Sequence, residues 1–155
     1  MKKLLNNKKG FTLIELLAVI VILAILVMVA IPAVTKYLNA ARQGTFADNA
    51  KSAISAVRND VIINGNQNDT YNLEKINGLL EKKLKTSPWG KAYDDTSCVK
   101  VTTTSGTTIY SMCLIDAEGH GWASALDENE ITDESASING LKDSDGNTIK
   151  TCTCS

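Results

Sequence analysis

The chain has 155 residues, a formal net charge of −1 and 44% apolar residues. That length suits one ordinary domain, or a small domain with an accessory segment. The average conceals a split: 21 of the 24 residues at positions 11–34 are apolar and no second long apolar run follows, so neither a purely soluble protein nor a multi-span membrane protein fits. Charge is divided as well. Lys2, Lys3, Lys8 and Lys9 precede the apolar run with no acid among them, and the remainder carries 12 bases against 17 acids. Nucleic-acid binding by a generally basic surface is therefore not expected.

In chain order, the first element is an apolar helix. Leu16 to Ile31 are all apolar, and extending back to Phe11 adds only Thr12 and Glu15 as interruptions. This is enough to cross a hydrocarbon core of roughly 30 Å at about 1.5 Å per residue. The preceding lysines imply an N-in, C-out orientation. A secretory signal has a shorter apolar core followed by a small-residue cleavage site, and here the helical pattern continues instead. A plain anchor leaves Glu15 unexplained, because an acid in a spanning segment is costly and calls for a function and a partner.

The run Lys8-Lys9-Gly10-Phe11-Thr12-Leu13-Ile14-Glu15, followed by Leu16-Leu17-Ala18-Val19-Ile20, resembles the class III signal of type IV prepilins and pseudopilins. The likeness covers about residues 8–35 and includes Pro32. It implies that a membrane prepilin peptidase cuts between Gly10 and Phe11 and methylates Phe11. The new Phe11 amine can pair with Glu15 of a neighbouring subunit, and a buried charge left unpaired is strongly unfavourable, so the pair can set register. Three segments follow: a cleaved leader, 1–10; a transmembrane and assembly helix, 11–34; and an extracellular globular domain, 35–155.

Past Pro32, a possible kink, the helical period continues in Phe46, Ala50, Ala53, Ile54, Val57 and Val61. One helix from about Phe11 to Ile63, on the order of 80 Å, is predicted, with Asn64-Gly65-Asn66 ending it. Its first half is apolar all round and its second half amphipathic, as expected where only the second half packs on a sheet. A shorter helix is predicted over Leu73–Leu84. The Ser87-Pro88-Trp89-Gly90 break follows, with Trp89 and Tyr93 supplying buried surface. This stretch resembles the Pro-Trp-Gly…Tyr segment of type II secretion major pseudopilins. From Cys98 the alternation reads as β, with a hairpin about Ser105-Gly106 and later strands near Trp122–Ala125, Ile138–Leu141 and Thr148–Cys152. The fold class is α+β, a long N-terminal helix packed on an antiparallel sheet.

Catalytic and metal chemistry find little support. His120, between two glycines, reads as a solvent-exposed turn residue, and no catalytic triad is visible around it. Asp143, Asp145 and Asn147 alternate like calcium ligands, but the EF-hand glycine and glutamate positions are not met, so an Asp-Gly turn is expected. No metal and no cofactor are called for. Nine acids between Asp116 and Asn147 form an acidic lobe, opposed by a basic band of Lys75, Lys82, Lys83, Lys85 and Lys91. The two could steer contacts between subunits.

Cys98, Cys113, Cys152 and Cys154 lie on the side predicted to be extracellular, where disulfides persist. A hairpin centred on Ser105-Gly106 sets Cys98 directly opposite Cys113, with Cα atoms about 4.5–5.5 Å apart and within disulfide reach. This register favours a Cys98–Cys113 bond, leaving Cys152 and Cys154 to pair together, bind something or stay free. The competing layout, which the resemblance to pilins implies, ties the C-terminal Cys-Thr-Cys back to Cys98 and Cys113.

The resemblance thus implies a structural subunit and not an enzyme. Such a subunit is made as a single-pass membrane protein and polymerised through its N-terminal helix into a type IV pilus-like extracellular filament at the cell surface. The implied partners are the prepilin peptidase, identical or homologous pilin subunits and a membrane assembly platform. The alternative is a major pseudopilin of a type II secretion or competence-type system.

Overall fold

The computed structural model describes residues 10–65 and 68–154. Lys2, Lys3, Lys8 and Lys9 of the predicted leader, and Asn66 of the predicted helix stop, lie outside the described residues. Two compact units divide the chain, Met1–Leu38 and Asn39–Ser155. In the first, every described residue is exposed and helical from Leu13 onward.

The first helix, α1, runs Leu13–Asn64 with Pro32 inside it. It starts two residues later than expected because Thr12 is its N-cap: the Thr12 carbonyl accepts the first helical bond, from the Leu16 N–H at 3.2 Å. Pro32 does not interrupt the helix, although it removes one N–H from the ladder. The end is a glycine cap. Gly65 takes φ +70° and its N–H returns to the Val61 carbonyl at 2.9 Å.

The second unit is α+β. A four-stranded antiparallel sheet runs in the order β1 (Thr70–Asn72), β2 (Cys98–Thr104), β3 (Thr107–Cys113), β4 (Leu126–Asp127). Phe46, Ala47, Ala50, Ala53, Ile54 and Val57 of α1 are fully buried, together with Val99 and Met112 of the sheet. Ser105 (φ 52°) and Gly106 (φ 81°) make the predicted two-residue turn, and the ladder pairs Thr104 with Thr107 and Cys98 with Cys113. The core face carries Tyr71, Val99, Val101, Tyr110 and Met112, while Cys98 and Cys113 point to the other face.

Three elements differ from expectation. The second helix, α2, covers only Leu73–Leu79. Asn77 explains the early stop: its Oδ1 accepts from the Leu84 N–H at 2.6 Å, which folds the chain back after Gly78. Strand β1 lacks a sequence signal beyond Tyr71. The three later strands reduce to single bridges, Gly121 with Ser137, Ser124 with Thr153 and Lys142 with Thr148, and only β4 forms a ladder there. The cause is close backbone approach at glycines. A Cβ on Gly121 would lie 2.2 Å from the Leu114 carbonyl oxygen, and one on Gly119 2.6 Å from that of Ile149.

Candidate assembly site at the helix start

Gly10, Phe11 and Thr12 precede the helix, and Phe11 is 90% exposed. The bond between Gly10 and Phe11 therefore lies in exposed, non-helical chain ahead of the first helical turn. Glu15 stands in that turn. Its Oε2 accepts from the Thr12 N–H at 2.7 Å and from Thr12 Oγ1 at 2.9 Å, while its own N–H points to Thr12 Oγ1 at 3.3 Å. The reciprocal pattern is a capping box, Thr-x-x-Glu, which gives partners to helix-start donors that have none inside the helix. Glu15, unexplained in a plain anchor, is thus half of a helix-start signature legible in the chain as Thr12-x-x-Glu15.

From Leu13 the helix offers apolar side chains all round its first half. It is the one helix among the described residues long and apolar enough to cross a membrane. A model of the prokaryotic N-terminal methylation motif matches residues 5–31. The N-terminal segment is thus similar to that of type IV prepilins. A fimbrial protein of Moraxella nonliquefaciens is 46% identical over 57 residues, which is 35% of this chain and 37% of the relative. This chain thus matches little more than a third of that relative's length. No solved structure matches it.

The rest of the pilin-like unit locks together around the Pro88-Trp89-Gly90 loop. Phe46 of α1 has its ring centroid 5.6 Å from Trp89, 5.6 Å from Tyr93 and 5.4 Å from Trp122. His120 is no free turn residue: its ring stacks on Trp89 at 4.7 Å, and Nδ1 lies 2.9 Å from Oδ2 of Asp116. Asp116 is fully buried and also accepts from Ser87 Oγ at 2.6 Å. The serine thus faces the carboxylate and not the imidazole, so the serine–imidazole contact of a catalytic triad is not made, and the trio is a structural clasp. Asp116 was missed as its hub because nothing in the sequence distinguishes it from the acids around it.

Burial pushes the Tyr93 hydroxyl up to about 12, against the hydrogen bond from Asn49 Nδ2, which lowers it. Lys91 is raised by its hydrogen bond to Glu118 at 2.6 Å and by that carboxylate's charge. This contact joins the basic band to the acidic lobe within one chain, and Arg58 pairs likewise with Glu128. Asp143 is held low chiefly by the Asn147 N–H, 2.8 Å from Oδ1, with the Asp145 N–H at 3.0 Å. Those bonds turn its carboxylate onto the backbone, which accounts for the Asp143, Asp145 and Asn147 pattern as a turn. Among the described residues no cluster of three or more His, Cys, Asp or Glu could hold a metal ion.

The cysteines correct the register argument. Cys98 does stand opposite Cys113, yet the bonds are Cys98–Cys154 and Cys113–Cys152, with Cα separations of 6.4 and 5.7 Å. The tight turn makes Thr104–Thr107 a hydrogen-bonded pair, and alternation makes Cys98–Cys113 another, where side chains stand farther apart than at a non-hydrogen-bonded pair. Cys152 and Cys154, two residues apart in extended chain, point the same way and meet both sulfurs. Thr153 between them bonds the Ala123 carbonyl at 2.9 Å, fixing the tail in place.

Proposed function

We propose that this protein is the structural subunit of a type IV pilus-like filament. Made as a single-pass membrane protein with its N-terminus inside, it is processed by a prepilin peptidase and polymerised at an assembly platform through its N-terminal helix. It then stands at the cell surface as part of the fibre. The carrying observation is the apolar helix headed by Gly10-Phe11-Thr12-Leu13-Ile14-Glu15, with the acid in its first turn. At the peptidase, water adds across the Gly10–Phe11 bond, leaving a carboxylate on Gly10 and an amine on Phe11. Methylation keeps that amine charged. In a filament core poor in water, the amine and Glu15 of an adjoining subunit neutralise one another and fix the axial register. The exposed Lys82, Lys83 and Lys85, against exposed Asp133 and Glu134, support charge steering between neighbouring globular domains.

N-terminal sequencing of sheared surface fibres tests the reading, and the first residue should be a methylated Phe11. Fibres that retain residues 1–10 would refute the processing step. Glu15→Ala should insert in the membrane as well as the parent, since it removes a charge from the span, yet yield few filaments. The resemblance of the Pro88-Trp89-Gly90…Tyr93 stretch to major pseudopilins carries a second reading, a short secretion-type filament. Absence of this chain from surface fibres except on overexpression would favour it.

A further inference from the structure

The carboxylate of Glu15 is half-occupied. Both Thr12 donors converge on Oε2, at 2.7 and 2.9 Å, and Oε1 has no hydrogen-bond partner among the described residues. We infer that Thr12 is a positioning residue for Glu15, anchoring one carboxylate oxygen at the helix start and leaving the other to receive a cation. The inference rests on the assembly reading above and deepens it.

A glutamate free to rotate in an apolar span would turn toward the interface, and pairing would then have to order it. The Thr12 hydroxyl removes that requirement. It accepts from the Glu15 N–H and donates to Oε2, so it restrains the residue at backbone and side chain together. The carboxylate already holds the Thr12 N–H, one residue from the nitrogen that cleavage would convert to an amine. It is therefore ordered at the processed end of the chain before any neighbour arrives. The Thr12 N–H and hydroxyl donors also lessen the cost of the charge while the subunit waits in the bilayer.

The test uses the full chain in its own cells, with filament yield measured per molecule of processed subunit in the membrane. Thr12→Val keeps the side-chain shape and deletes both hydroxyl bonds. It should lower the yield about five-fold, the typical effect of losing a helix-capping hydroxyl, whereas Thr12→Ser should stay near the parent. The double variant Thr12→Val/Glu15→Ala should yield no less than Glu15→Ala alone, because the hydroxyl acts only through the carboxylate. Parental yield from Thr12→Val overturns the inference, and so does a Thr12→Ser defect equal to that of Thr12→Val. A double variant worse than Glu15→Ala does the same, since it marks an independent packing role. If Glu15→Ala assembles normally, the assembly reading falls and this inference with it. If Glu15→Ala fails while Thr12→Val assembles, only this inference is lost.

Discussion

Asp116 accepts from Ser87 Oγ, from the backbone N–H groups of Glu118 and His120, and from His120 Nδ1, in a site closed to solvent. Asp116→Ala would strand several donors at once, and a loss of about 3 kcal/mol or more is expected in denaturant unfolding of the solubilised protein. His120→Ala removes one donor and a ring stack, so its cost should be smaller. The neighbouring Tyr93 and Lys91 set a pH limit. Both have folded-state values above their unfolded ones, Tyr93 at about 12 through burial and Lys91 through Glu118. The stability each adds is complete below its unfolded pKa, near pH 10, and is lost as pH rises through the folded value. Unfolding temperature should thus fall steeply between about pH 10 and 12. Tyr93→Phe should flatten that fall, since its ring cannot ionise. An equally steep decline in Tyr93→Phe would remove Tyr93 from the explanation.

At the scale of elements, the second half of α1 buries a run of small residues in the core. Ala47, Ala50 and Ala53 are fully buried, and the larger Phe46, Ile54 and Val57 lie beside them. Side chains on this face are enclosed at the packing density of a protein interior, so it has no slack for added volume. Ala53→Leu should cost about 1–3 kcal/mol through overpacking, whereas Ser55→Leu, on the exposed face, should change stability little. Equal stability for both variants would place the interface elsewhere. Gly121 imposes a similar limit on the loops, at φ +129° and with the Leu114 carbonyl where a Cβ would go. Gly121→Ala should therefore destabilise more than Gly146→Ala, whose Cβ would meet open space.

For the whole molecule, the disulfides close chain segments with sequence separations of 56 and 39 residues. Chain-entropy arguments give roughly 4 kcal/mol for each, less where the unfolded chain retains structure. They fasten the C-terminal tail to the sheet face opposite α1. Peptide mapping without reductant should recover Cys98 linked to Cys154 and Cys113 to Cys152, and a Cys98–Cys113 peptide would contradict this connectivity. On reduction the tail should become protease-sensitive before the core does, because α1 packs on the other face and does not depend on it.

Much of the molecule was legible because its signals are local. An unbroken apolar run marks a helix long and apolar enough to cross a membrane, the Ser105-Gly106 turn fixes ladder parity, and a 3.6-residue period marks the buried face of α1. The Gly-Phe-Thr-Leu-Ile-Glu pattern was legible for the same reason, since its residues adjoin in the chain. Tertiary structure decided whatever depends on which distant segments meet. Strand parity brought Cys98 and Cys113 together, but only the path of the tail past Ala123 chose their partners. Glycines pressed against distant carbonyls turned expected strands into single bridges. The burial of Asp116 under His120 and Trp89 has no signature along the chain, because a carboxylate's role is set by the donors folding brings to it.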